Sequence, residues 1–278
     1  MEPLYLQYLA QTLKFRRERV GRKTKDWKFR ITFLAALAVF IFAAAKLGLS
    51  FWEYHKGAQQ YQELEGIAGL PSTKKSDDKG NKSQEPAEQM DFDKLKKINP
   101  DVVGWIWIEK LDISYPIVQG KDNDYYLSHT FYREENKCGS IFVEIGNHGD
   151  FRDQNTFVYG HNMRDGSMFA KLNQYQEQEI FQENPEFYIY TPEGLKRYQI
   201  FSCYVASLDW DSFIYQFENQ KSYKEWQKTV KRRSLYETGI VPKPEQTTVT
   251  LMTCTPAGDN YRFLVHGVLT DKQSKKKK

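Results

Sequence analysis

Residues 247–254 read TTVTLMTC and residues 261–270 read YRFLVHGVLT. Both runs are dense in β-branched and aromatic residues, and a short TPAGDN segment carrying proline and glycine separates them. That pattern predicts two strands joined by a tight connection. The thiol of Cys254 ends the first strand, and Arg262 opens the second, so an antiparallel pairing brings the two together. Working toward the N-terminus, six more β-like runs appear: 104–108 (GWIWI), 113–119 (ISYPIVQ), 139–143 (GSIFV), 155–161 (NTFVYGH), 186–191 (EFYIYT) and 195–207 (LKRYQIFSCYVAS). Pro116 marks an edge and Pro-Glu-Gly at 192–194 a turn. Helices are few: one near 91–98, short turns near 167–172 and 177–182, and an amphipathic helix at 222–233 (SYKEWQKTVKRR) with Tyr223, Trp226 and Val230 on one face. Many strands and few helices predict a mainly β domain over 91–271, closed or nearly closed into a barrel.

The chain has 278 residues, 40% of them hydrophobic and 27% charged, enough to bury a core and too apolar for wholesale disorder. Its formal charge of +4 is unevenly placed. Residues 1–30 hold nine Lys and Arg against Glu2, Glu18 and Asp26, and residues 272–278 hold five lysines, which leaves 31–271 at −7. A nucleic-acid partner needs a basic face on the folded body, so that class is excluded. Behind the basic arm at 1–30, residues 31–49 read ITFLAALAVFIFAAAKLGL. As a helix this run spans about 28 Å, the hydrocarbon thickness of a bilayer. Trp27 before it and Phe51, Trp52 and Tyr54 after it sit where interfacial aromatics belong, and Lys46 is near enough to the end to snorkel. Ala43-Ala44-Ala45 resembles a cleavage site, but the basic region is long for a signal peptide and the apolar run continues past it. We therefore expect an uncleaved anchor at 31–50, with the N-terminus in the cytoplasm and the body outside. Residues 51–90 read as a stalk and linker: helical over 55–70, then a polar tether over 71–90 with little to bury. Residues 272–278 read as a solvated basic tail.

Three cysteines are too few for a disulfide scaffold in an exported chain of this length. Cys203 lies in an apolar strand, as a small core residue does. Cys138 lies in a polar loop; a Cys138–Cys203 bridge is compatible with the sequence but not required by it. Cys254, at a strand end beside a turn, is placed as an exposed nucleophile on a rigid element. A nucleophilic thiol needs a proton acceptor and a group for the oxyanion. Of the five histidines, His55 falls in the stalk, His129 and His148 in polar loops, and His266 in mid-strand, a structural position. His161 closes the strand TFVYGH and mirrors the position of Cys254. Arg262 offers a permanently charged set of donors beside the thiol. No His/Cys spacing fits a zinc site, so no metal is expected.

The segment TLMTC at 250–254 resembles the TLxTC signature of the sortases, transpeptidases that attach proteins to the Gram-positive cell surface. The family order of histidine, cysteine and arginine is matched by His161 in VYGHNM, Cys254 in TLMTC and Arg262 in NYRFLV. The resemblance covers 91–271. NPDVVGWIWI, DNDYYLSHTF, GHNMRDGSMF and the helical insert before TLMTC are similar to class B. It implies an eight-stranded sortase-like β-barrel, with the insert helix helping to shape a substrate groove. The catalytic residues implied are His161, Cys254 and Arg262, and the groove positions Asn123, Leu127, Tyr159 and Thr253. Met252 departs from class members that carry a small polar residue there. The implied reaction cleaves a C-terminal sorting motif after threonine and passes the acyl group through a cysteine thioester to an amine, with no cofactor. The implied partners are surface proteins or pilins bearing that motif, with a lipid-linked peptidoglycan precursor or a pilin lysine as acceptor. The implied location is the membrane of a Gram-positive bacterium. A secreted thiol peptidase is a second reading, although papain-like enzymes place cysteine before histidine and use no such arginine. A non-catalytic binding module is a third, and the intact His/Cys/Arg set counts against it.

Overall fold

A computed structural model describes residues 3–69 and 90–274. The tether expected over 71–90 lies outside the described residues apart from Met90, as do the last four lysines. The chain divides into two units, Met1–Trp52 and Glu53–Lys278. The first unit is the leading part of helix α1 (Pro3–Ala68). Within α1, the segment Trp27–Ala68 is long and apolar enough to cross a membrane, and its apolar window buries nothing within the chain. Residues 27–48 present only exposed side chains, as lipid-facing residues do.

The second unit is built on eight strands: β1 (Val102–Ile108), β2 (Ile113–Val118), β3 (Ile141–Val143), β4 (Asn155–Tyr159), β5 (Glu186–Thr191), β6 (Gly194–Ser207), β7 (Thr248–Cys254) and β8 (Tyr261–Ser274). They close in the order β1-β2-β3-β4-β7-β8-β6-β5. Closure removes the exposed edges that short strands otherwise present. Every expected run is a strand. Several ends differ: β4 stops at Tyr159 and leaves the expected strand end His161 outside it, and β8 runs three residues into the expected tail, because Gly194, Leu195 and Lys196 of β6 offer partners to Ser274, Gln273 and Lys272. Pro116 lies where β2 pairs with β1 alone, since β3 reaches only Ile117 and Val118, so its missing N–H breaks no ladder. The main core draws on Ile106, Ile117, Val158, Ile189, Leu251 and Val265 from six different strands.

The helices are α2 (Phe92–Ile98), capped by Asp91, then α3 (Gln178–Glu183) and α4 (Gln220–Arg232). Helix α4 begins two residues before the expected start, because Asn219 caps it and Ser222 closes a reciprocal capping box. Its apolar face, Tyr223, Trp226 and Val230, packs on Phe201, Tyr204, Leu264 and Val268 outside β6 and β8, a second cluster distinct from the barrel interior.

The stretch read as a stalk is instead part of the barrel's packing. Tyr61, Leu64 and Ala68 recur at helical spacing on α1 and are buried in the main core. The Tyr61 hydroxyl donates to the Gly139 carbonyl at 2.6 Å, and Lys56 pairs with Glu134 at 2.7 Å. Gly57 is needed for this approach: a Cβ there would lie 2.9 Å from Cys138 Sγ. Helix α1 thus braces the 123–140 loop, which borders the site described next.

Candidate active site

Side chains alternate across a strand, so Thr248, Thr250, Met252 and Cys254 of β7 share one face. Val249 and Leu251 point the other way, into the barrel core. Cys254 pairs directly with Arg262 across the antiparallel β7–β8 ladder, which puts both side chains on that same outer face. On the opposite side β7 runs parallel to β4, with Tyr159 opposite Met252. His161 follows two residues past the end of β4. The Gly160 N–H still donates to the Met252 carbonyl at 3.1 Å, which holds the register to its end. Gly160 is required there by close approach, since a Cβ would meet the Phe169 ring at 2.6 Å. Cys254 and Arg262 are therefore presented by facing strand ends and His161 by the segment just past β4, outside the barrel and not within it.

They border one cleft of about 330 Å³, together with Asn123, Leu127, Tyr159 and Thr253. Cys254 is exposed and unbridged, whereas Cys138 and Cys203 are buried and equally free, so no disulfide forms. His161 donates from Nε2 to the Leu127 carbonyl at 2.7 Å. A carbonyl only accepts, so Nε2 carries a proton and Nδ1 is the nitrogen left to exchange one. Arg262 donates from Nη1 to the carbonyls of Asp259 and Tyr261 at 2.6 and 2.8 Å, which anchors its planar group at the hairpin. Among the described residues its Nε and Nη2 take no partner.

Glu144, just past β3, organises the far wall. Its carboxylate accepts from Asn123 Nδ2 at 2.7 Å and from the Tyr159 hydroxyl at 2.5 Å. Asn123 Oδ1 accepts in turn from the Ile145 N–H at 2.9 Å. Burial, and then the neighbouring Glu144 carboxylate, push the Tyr159 phenol well above its ordinary range. Thr253 borders the cleft, but alternation turns its side chain away from Cys254. Its hydroxyl is buried with no partner among the described residues. Helix α4, expected to help shape the groove, contributes no residue to this cleft, because its apolar face is committed to β6 and β8.

A family model described as "Sortase domain" matches residues 106–270. The chain belongs to the class B sortases. It is 33% identical to sortase B of Listeria monocytogenes over 90% of this chain and 100% of that protein. The solved sortase B of Bacillus anthracis superposes with a TM-score of 0.68 at 30% identity, covering 80% of this chain and 100% of that one. The Staphylococcus aureus sortase B–substrate complex gives 0.62 at 31% identity, over 66% and 85% of the two chains. Sortases are cysteine transpeptidases, so this chain is an enzyme, and the mainly β, eight-stranded barrel expected from its sequence is the sortase B fold.

All seven residues singled out in this sortase's sequence border the same cleft. The other histidines lie elsewhere. His129 stacks on Tyr125 with ring centroids 4.0 Å apart. His148 pairs with Asp153, which raises its proton affinity, and His266 is fully buried. Glu144 was missed. A lone carboxylate after the apolar run IFV reads as a solvent-facing strand end, and nothing local signals that it meets Asn123 and Tyr159. Among the described residues no group of His, Cys, Asp or Glu side chains is arranged to hold a metal ion.

Proposed function

We propose that Cys254 is the nucleophile, His161 the proton carrier and Arg262 the oxyanion partner of a transpeptidase acting on a C-terminal sorting motif. The observation that carries this reading is the shared cleft: Cys254 pairs directly with Arg262 across β7 and β8, and His161, two residues past β4, borders the same cleft. As the Cys254 thiol passes its proton to His161 Nδ1, its sulfur attacks the threonine carbonyl carbon, and the carbonyl π electrons move to oxygen, where Arg262 donates hydrogen bonds. The tetrahedral species collapses, the C–N bond breaks, and the departing amine takes a proton from His161. A thioester remains. An incoming amine gives a proton to His161, its nitrogen forms the new C–N bond, and the C–S bond breaks to return Cys254. Asn123, Leu127, Tyr159 and the main chain at Thr253 line the peptide's path.

The acceptor in this reading is an amine of the peptidoglycan cross-bridge. The basic arm at 1–30 stays in the cytoplasm and the anchor holds the barrel outside, beside translocated substrates and lipid-linked acceptors. Such tethering raises effective concentration without tight binding. The test uses the full chain in detergent micelles with NPxTx- and LPxTG-like pentapeptides, alone, with a cross-bridge amine, or with a lysine-bearing pilin peptide. Product that depends on the cross-bridge amine and vanishes in Cys254→Ala is expected. Transfer to the pilin lysine alone would reassign the acceptor, and hydrolysis indifferent to amine would make the enzyme a peptidase.

A further inference from the structure

We propose that Glu144 is a positioning residue that fixes the hydrogen-bond polarity of the cleft wall, so that the wall presents one acceptor at Tyr159 and one donor at Asn123 to a peptide amide of the substrate. The inference rests on the acyl-donor reading above. Glu144 borders the cleft yet is only 8% exposed. Its main chain is pinned on both sides: its N–H donates to the Phe157 carbonyl at 3.1 Å, and its carbonyl accepts from Gln119 Nε2 at 3.1 Å. The carboxylate therefore stays in place while it accepts from two cleft side chains.

A carboxylate accepts and does not donate. The Tyr159 proton, directed to Oε2 at 2.5 Å, is thus withdrawn from the cleft, and the phenol oxygen keeps only lone pairs to offer. Asn123 is oriented twice over. Its Oδ1 takes the Ile145 N–H at 2.9 Å and one Nδ2–H goes to Glu144 Oε1 at 2.7 Å, so its remaining capacity on nitrogen is a single donor. One donor beside one acceptor complements the C=O and N–H of an amide. Without Glu144 both groups can rotate or flip, and each wrong orientation sets a donor against a donor or an acceptor against an acceptor.

Glu144→Gln keeps the volume but replaces one acceptor oxygen with an NH₂ donor, turning the Tyr159 proton back toward the cleft. In the full chain, the KM for the pentapeptide should rise about tenfold with kcat held within about twofold. The rate of Cys254 alkylation by iodoacetamide and the melting temperature should stay as in the wild type. In a Tyr159→Phe, Asn123→Ala background the same substitution should change KM by less than about twofold. An unchanged KM, a loss confined to kcat, or a full effect in that background would overturn the inference while leaving the transpeptidase reading standing. A wild-type chain that turns over no pentapeptide through Cys254 would overturn that reading. The bond to Tyr159 is then still judged by the ¹³Cζ resonance of labelled tyrosine, assigned with Tyr159→Phe. It should move in Glu144→Gln, and a resonance that stays put would overturn the inference on its own.

Discussion

Two stretches of one barrel wall carry opposite chemistry. The outer face of β4, β7 and β8 is covered at one end by helix α4 and its flanking insert, and open at the other as the cleft. At the covered end His266 is fully buried, with Nδ1 2.8 Å from Thr250 Oγ1 and Nε2 3.2 Å from the Tyr204 hydroxyl. Burial, and secondarily Arg233, push its pKa down to about 3, so its imidazole is neutral at any ordinary pH. At the open end His161 is only partly buried, held by a single backbone carbonyl. The two histidines flank β7, His266 within β8 and His161 just past the end of β4. Cover, and not strand identity, decides which of them can exchange a proton.

Removing the open end's thiol has the largest effect. Cys254→Ala should lower transfer at least about a thousandfold, measured with peptide and amine at saturation, while the unfolding midpoint stays put. The covered end should respond in the reverse sense. Trp226→Ala empties the second cluster and should cost about 3–5 kcal/mol of stability by denaturant titration, yet leave the alkylation rate of Cys254 in the folded chain unchanged. Parallel loss of alkylation would mean the two ends are coupled. Arg262→Lys sharpens the cleft side, because an ammonium keeps the charge but not the planar set of donors. A fall of about 10- to 100-fold in kcat/KM is expected, and wild-type activity would remove Arg262 from the oxyanion role. The smallest effect concerns pH. Unfolded, His266 takes up a proton near 6.5, and folded only near 3. The unfolded state therefore binds more protons between those values, and stability falls as pH drops below about 6.5. That loss is about 2 kcal/mol between pH 7 and 5, and it should disappear from the difference curve of His266→Gln against wild type.

Most of the fold could be read without coordinates. Alternation and β-branched content locate every strand, since those signals are local and each strand buries one face. The residues of the cleft were readable in a different way. Cys254 and Arg262 stand at strand ends and His161 just past one, and motif order picks them out. Glu144 has no such signal, since its partners are 21 and 15 residues away along the chain. Tyr61, Leu64 and Ala68 did show a helical stripe, but a stripe does not name the surface that covers it. That is why 55–70 read as a stalk. The hydroxyl of Thr253 faces away from Cys254 for a reason that period-two alternation already contains.

Local sequence pattern was enough for the strands, the apolar helix long enough to cross a membrane, the concentration of basic charge at the two ends, and the residue types that could carry thiol chemistry. All of these depend on near neighbours along the chain. That Cys254 faces Arg262 and shares a cleft with His161, that α1 braces the 123–140 loop, and that Glu144 meets Asn123 and Tyr159 follows from tertiary contacts alone. Those relations depend on register between strands distant in sequence and on which outer faces are covered. Barrel closure fixes both at once, and no local pattern encodes either.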